Sequence, residues 1–115
     1  MECYLDNSAT TKPCKAAVDA EISALTELYG NPSSLHQKGV DAYMLLEKSR
    51  GTIAASLKAS PDEIYFTPCG TVSNNTAIFG AVGAKKRLGK KIVTTALEHP
   101  SVEKCMERLE ESGFE

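Results

Sequence analysis

The hydrophobic positions in the first part of the chain recur with the period of an α-helix. Val18, Ile22, Leu25 and Tyr29 are separated by four, three and four residues, a spacing that places their side chains on one helical face. The sequence Gly-Asn-Pro at 30–32 then provides a left-handed cap and a proline that cannot continue the helix. We therefore expect a first helix of about four turns that ends near Tyr29.

A longer helix is predicted after this turn. Ser33 and Ser34 are suitable N-cap residues, and the apolar positions continue to about Leu57. Gly39 and Gly51 weaken this helix. Its predicted apolar face consists of Tyr43, Leu46, Ile53 and Leu57.

The second half of the chain alternates between strand and helix patterns. Residues 63–67 and 91–97 are β-prone runs, and each is followed by a helical pattern, one that ends at Gly89 and one that begins at Pro100 and ends at Gly113. This order predicts an α/β fold with a mostly parallel sheet and flanking helices. Both predicted strands are apolar, and buried parallel strands need neighbouring strands to bond their backbone groups. A sheet of two strands is too small for this, so we expect residues 13–115 to be the N-terminal part of a larger domain. Residues 1–12 are predicted to form an extended arm.

Composition and charge exclude several classes of protein. The chain has 115 residues and a formal net charge of −2, with no extended basic block, which argues against a nucleic-acid-binding or membrane-surface protein. No apolar run reaches the ~18 residues of a membrane span, and the N-terminus lacks the pattern of a signal peptide. We expect a cytoplasmic protein. The four cysteines have no metal-ligand spacing, so no metal site is predicted and free thiols are expected.

The loop at 67–75 is a candidate anion site. A predicted strand ends there, Gly70 lets the backbone approach a ligand, and Thr71 and Ser73 offer hydroxyl groups where the next helix begins. Such a position favours a phosphate group. An ordinary strand-to-helix turn, with Ser73 as the N-cap, explains the same residues.

His99 follows the second predicted strand directly. The carboxyl ends of strands line the ligand crevice of open α/β sheets, so His99 and the Thr71 loop are expected on the same side. A helix N-terminus favours the neutral imidazole, which can stack on a flat aromatic ligand. A solvent-exposed loop histidine is the alternative.

Several separated segments together resemble one enzyme family. These segments occur in the order YLDNSATT, YGNPSSLH, EIYFTPCGTVSNNTAIFG, TTALEHPSV and ESGFE. In this order and at these distances they resemble the N-terminal third of cysteine desulfurases of the NifS and IscS type, which are pyridoxal-phosphate enzymes of aminotransferase class V. The resemblance covers nearly the whole chain.

The resemblance implies a fold, a reaction and a set of site residues. The fold is the large, cofactor-binding domain of a fold-type I pyridoxal-phosphate enzyme, and the reaction takes sulfur from L-cysteine to give alanine and an enzyme persulfide for iron–sulfur cluster assembly. By position, Gly70 and Thr71 match residues that hold the cofactor phosphate, and His99 matches the catalytic histidine that stacks on the pyridine ring. Asn7, Ala9 and Thr10 match an arm near the substrate pocket.

Other parts of the family's machinery have no counterpart in this chain. The Schiff-base lysine, the aspartate that pairs with the pyridine nitrogen and the sulfur-accepting cysteine all match positions beyond Glu115. The resemblance therefore implies an N-terminal fragment that is inactive alone. Relatives also commonly read Ser-Gly-Ala-Thr-Glu-Ser-Asp-Asn where this chain has 68–75, so that Asn74 replaces an aspartate.

This interpretation leaves two alternative functions open and implies two kinds of binding partner. The alternatives are a selenocysteine lyase or another class V aminotransferase, and a non-catalytic anion-binding or interaction module. The expected partners are a sulfur-acceptor protein for the complete enzyme and a second copy of the chain. In the family, the first two strands of the large domain are not neighbours, so we expect the 115 residues to self-associate.

Overall fold

A computed structural model describes residues 3–115 as two compact units, one that ends at Ile64 and one that runs from Tyr65 to Glu115. The first unit contains α1, α2 and a short 3₁₀ helix, and the second contains α3 and α4. Their bounds are Lys15–Thr26 for α1, Gln37–Leu57 for α2, Pro61–Glu63 for the 3₁₀ helix, Gly70–Lys85 for α3 and Pro100–Glu111 for α4. Within residues 3–115, no helix has the length and apolar character needed to cross a membrane.

The first helix is shorter than its hydrophobic pattern predicts. α1 ends at Thr26, and Tyr29 lies outside it. The Lys38 ammonium donates a hydrogen bond to the carbonyl of Glu27 at 3.0 Å and lies 5.2 Å from the centre of the Tyr29 ring. The carbonyl of Glu27, just after the end of α1, is thus bonded to a side chain of α2, and the last helical turn that the pattern predicts is absent.

The start of α2 also differs from the prediction, whereas its end agrees. The Asn31 side chain accepts a hydrogen bond from the Ser33 amide at 2.9 Å, which uses this serine in a turn. His36 is the N-cap instead, and its Nδ1 accepts from the Gly39 amide at 3.4 Å. The helix ends at Leu57 as expected, with Lys58 in the left-handed conformation.

The described part of the predicted arm, residues 3–12, contains no helix. The Tyr4 hydroxyl donates to the carbonyls of Asp6 and Thr10 at 2.9 and 3.1 Å, and the Ala9 amide bonds to the Asp6 carbonyl at 3.2 Å. These bonds close a turn at the start of the chain. Residues 1 and 2 of the arm lie outside the described residues.

The second unit is built on the packing of α3 against α4. Cys105, which is 1% exposed, and Leu109 are the buried apolar residues of α4. Pro100 begins this helix as predicted, and Gly113 follows its end with a positive φ of 84°. Few side chains are fully buried, so the hydrophobic core of the described residues is small.

The predicted sheet is not formed. No strand is present among residues 3–115, and Glu63, expected in the first strand, ends the 3₁₀ helix. The amide of Ile92 donates to the carbonyl of Glu115 at 2.7 Å, and the amide of Glu115 donates to the carbonyl of Lys90 at 2.7 Å. This is the bonding pattern of one parallel pair. An extended segment becomes a strand only when several of its residues pair with an adjacent extended segment, and residues 3–115 provide no further pairing of this kind.

Candidate functional site

The candidate anion loop leads directly into α3. Cys69, not Ser73, is the N-cap of this helix, and it provides no side-chain cap. The hydroxyl groups of Thr67 and Ser73 are hydrogen-bonded to each other, and the Thr67 hydroxyl also donates to the carbonyl of Cys69 at 3.1 Å. Ser73 is therefore used to brace the loop, and the simple turn with a Ser73 cap is wrong.

Gly70 and Thr71 are the first two residues of α3, and both are exposed. The Ser73 amide is the first to bond back along the helix, to the carbonyl of Cys69 at 3.1 Å. The amides at 70–72 precede it and have no acceptor within the helix. A Cβ added at Gly70 would meet no atom within 4 Å, so the space beside the helix end is open. Free amides, the helix dipole and a nearby hydroxyl fit a phosphate group.

His99 is the N-cap of α4. Its Nδ1 accepts a hydrogen bond from the Ser101 amide at 3.1 Å and lies 2.8 Å from the Ser101 hydroxyl oxygen. The imidazole is thus tied to the first turn of α4 through one ring nitrogen. The second ring nitrogen, Nε2, has no contact of this kind among residues 3–115.

Two side-chain contacts join α3 to α4 near their N-termini. The Asn74 side-chain amide donates to the Ser101 hydroxyl at 2.8 Å, and the Cys105 thiol donates to the side-chain Oδ1 of Asn75. These contacts join the first two turns of α3, which begins at Gly70, to the first two turns of α4, which His99 caps. Sequence reasoning missed Asn74, Asn75, Ser101 and Cys105 as site supports, since no local pattern marks a contact across about thirty residues.

The three arm residues predicted near the substrate lie in the first unit. Asn7, Ala9 and Thr10 are exposed. The Asn7 side chain donates to the carbonyl of Tyr4 at 3.4 Å, and the Asn7 carbonyl accepts from the Thr11 hydroxyl at 3.2 Å. These contacts are local to the arm.

The cysteine thiols lie on the surface, with the exception of Cys105. Cys3, Cys14 and Cys69 are exposed, and Cys105 is buried between α3 and α4. A hydrogen bond from Lys104 to the Glu107 carboxylate raises the pKa of the lysine above its ordinary value. This ion pair lies along the exposed surface of α4.

Comparison with known proteins identifies the family. The profile of the family Aminotransferase class-V matches residues 3–115, and the chain therefore belongs to the class-V aminotransferases. A NifS/IcsS protein homolog from Lactobacillus delbrueckii subsp. bulgaricus is 50% identical over 111 residues, which are 96% of this chain and 29% of the relative. Cysteine desulfurase NifS from Azotobacter vinelandii is 42% identical over 114 residues, or 98% of this chain and 28% of the relative.

A solved structure of a NifS-like protein gives the same result. It superposes with a TM-score of 0.89 at 36% sequence identity, and the match covers 100% of this chain and 32% of that one. The chain thus spans less than a third of the proteins that it matches. The family resemblance drawn from the sequence is confirmed.

Proposed function

We propose that this chain is the N-terminal part of a pyridoxal-phosphate-dependent cysteine desulfurase, which takes sulfur from L-cysteine and leaves alanine and a persulfide. The observation that carries the proposal is the joining of two family motifs in the second unit. The uncapped start of α3 lies beside the first turn of α4, which His99 caps, through the Asn74–Ser101 hydrogen bond. The names of the relatives favour this reaction over the selenocysteine lyase and over a module without catalysis.

The proposed site divides two tasks between the two helices. The free amides at 70–72 and the Thr71 hydroxyl would hold the phosphate of the cofactor, and the imidazole of His99 would lie against its ring. When bound, pyridoxal phosphate supplies an electron sink for the bonds that are broken in the amino acid. The protein's contribution is to hold the cofactor flat and to hold or move a proton at the Nε2 atom of His99. Asn7, Ala9 and Thr10 are proposed to lie near the substrate.

The same proposal accounts for the unformed sheet. Residues 13–115 are proposed to belong to the large domain, with 1–12 as its arm, and residues 91–97 to contribute a strand to its parallel sheet. The single parallel pair formed by Lys90, Ile92 and Glu115 supports this assignment. Val93 and Leu97 are 89% and 95% exposed, as expected for apolar side chains that further elements or a second copy cover. A cytoplasmic homo-oligomer that passes sulfur to an acceptor protein completes the proposal.

A chimaeric enzyme tests the function. Residues 3–115 replace the matching segment of the Azotobacter vinelandii cysteine desulfurase, and alanine formation from L-cysteine is measured after the cofactor is added. The proposal expects a folded chimaera that binds pyridoxal phosphate and forms alanine. A folded chimaera that binds the cofactor but forms no alanine would contradict the desulfurase assignment, and one that binds no cofactor would contradict the cofactor assignment.

A further inference from the structure

We infer that Ser101 and Asn74 are positioning residues that fix the tautomer and the orientation of His99. The inference rests on the proposed function for its consequence in catalysis. Its structural part, the arrangement of protons around the imidazole, does not depend on any cofactor.

The first step concerns the proton on the imidazole. The Ser101 backbone N–H can only donate, and it lies 3.1 Å from Nδ1 of His99. Nδ1 must therefore be the acceptor, and the neutral ring must hold its proton on Nε2. The cap of α4 thus selects the Nε2–H tautomer of His99.

The second step concerns the direction of the Ser101 hydroxyl. The Asn74 Nδ2 group donates to the Ser101 Oγ atom at 2.8 Å. This bond fills one of the two acceptor sites on Oγ. Because the Ser101 amide already makes Nδ1 an acceptor, the contact of 2.8 Å between Oγ and His99 Nδ1 is donated by the hydroxyl proton. A chain of donors therefore runs from Asn74 through Ser101 to His99, and each member reinforces the same tautomer.

Burial makes this arrangement specific. Ser101 is only 8% exposed, and Asn74 is half-buried. Water has little access to Ser101, so a change from donor to acceptor at Asn74 changes the hydrogen bonds of the Ser101 hydroxyl, although His99 itself is exposed. An aspartate at this position would accept the hydroxyl proton of Ser101 and turn it away from His99.

The consequence is that Nε2 is the one ring nitrogen available to the reaction. Nδ1 is used for the helix cap, and Nε2–H is presented as a proton donor. Because Asn74 belongs to α3, one turn from Thr71, the same bonds hold the ring in register with the proposed phosphate site.

Nitrogen-15 NMR of the full chain tests the tautomer directly. The chain contains two histidines, and His36 is an internal control because it caps α2 with its own Nδ1 in the other unit. For His99 we expect an unprotonated Nδ1 and a protonated Nε2. Ser101→Ala and Asn74→Asp keep the backbone N–H of residue 101 but lose the hydroxyl donor, so the Nδ1 signal is expected to shift only part of the way toward that of a protonated nitrogen, with the His36 signals unchanged.

Two variants separate positioning from a structural defect. Ser101→Thr keeps the hydroxyl and is expected to restore the wild-type His99 signals, whereas Asn74→Ala removes the donor without adding an acceptor and is expected to shift them less than Asn74→Asp. A protonated Nδ1 in the wild-type chain would overturn the inference. So would identical His99 signals in the wild type, Ser101→Ala and Asn74→Asp.

A kinetic measurement covers the case in which the variants perturb folding. In the chimaera, loss of one hydrogen bond to His99 is expected to lower kcat by roughly three- to tenfold with KM nearly unchanged. Ser101→Thr should recover most of this loss. An unchanged kcat in Ser101→Ala would overturn the inference, whereas a chimaera without any activity would contradict the proposed function and leave the NMR result to decide the tautomer.

Discussion

Two glycines of α2 are predicted to respond to the same substitution with opposite signs. Gly39 lies in the first turn of the helix and is buried, and Gly51 lies further along it. A Cβ added at Gly39 would lie 2.2 Å from the carbonyl oxygen of Ser34 and 2.8 Å from that of Asn31. A Cβ added at Gly51 would meet nothing within 4 Å. From the sequence, both glycines are expected to weaken the helix. The structure shows that only Gly51 has space for a larger side chain.

The magnitudes follow from this difference in space. At Gly51, alanine gains about 1 kcal/mol of helix propensity and encounters no clash. At Gly39 the same gain is opposed by overpacking against backbone atoms that cannot rotate away, which costs about 1–3 kcal/mol, and by loss of hydrogen bonds in the 31–36 turn, at about 1 kcal/mol each. We therefore expect Gly51→Ala to stabilise the chain and Gly39→Ala to destabilise it by about 2 kcal/mol.

Urea unfolding followed by far-UV circular dichroism measures both variants, at low protein concentration so that self-association does not contribute. Limited proteolysis within the 30–39 turn provides a second readout, because Gly39→Ala should open this turn and Gly51→Ala should not. A shift of both midpoints in the same direction would refute the reasoning. An equal rate of cleavage in the two variants would refute it as well.

The remaining predictions concern the site and the exposed apolar surface. In the chimaera, Thr71→Val should weaken retention of pyridoxal phosphate, measured by the cofactor absorbance after gel filtration; retention equal to that of the parent chimaera would remove Thr71 from the site. His99→Ala should lower turnover about a hundredfold or more through loss of proton transfer, and should cost about 1 kcal/mol of stability through loss of the α4 cap; an unchanged rate would remove His99 from catalysis. Size-exclusion chromatography with light scattering should show the isolated 115 residues as more than a monomer, and Val93→Lys should shift them toward monomer; a compact monomer that unfolds cooperatively would contradict the self-association.

Local rules predicted the helix ends that depend on one residue type. Pro100 starts α4, Gly113 follows its end, and α2 stops at Leu57. Each of these depends on the backbone preferences of a few neighbouring residues, which a sequence shows directly.

The predictions failed where a distant group decides the outcome. α1 stops at Thr26, before Tyr29, and the carbonyl of Glu27 just after it accepts a hydrogen bond from Lys38, eleven residues further along the chain. Residues 3–115 contain no strand because a strand is defined by its neighbour and not by its own β-propensity.

The candidate site shows the same division. The family motifs point to Thr71 and His99, but the hydrogen bond that links the helices carrying them joins Asn74 to Ser101, which are 27 residues apart in the chain. No periodicity or motif marks that pair. The hydrogen bond between Asn74 and Ser101 becomes visible only in the structure, where α3 packs against α4.

Titration of the chimaera with pyridoxal phosphate tests the central claim most directly, with pyridoxal, which lacks the phosphate, as the matched control ligand. The account predicts saturable binding of pyridoxal phosphate, much weaker binding of pyridoxal, and a smaller difference between the two ligands in Thr71→Val, which keeps the free amides at 70–72. Equal binding of the two ligands by a folded chimaera, or a difference that survives Thr71→Val unchanged, would contradict the assignment of the start of α3 as the phosphate site.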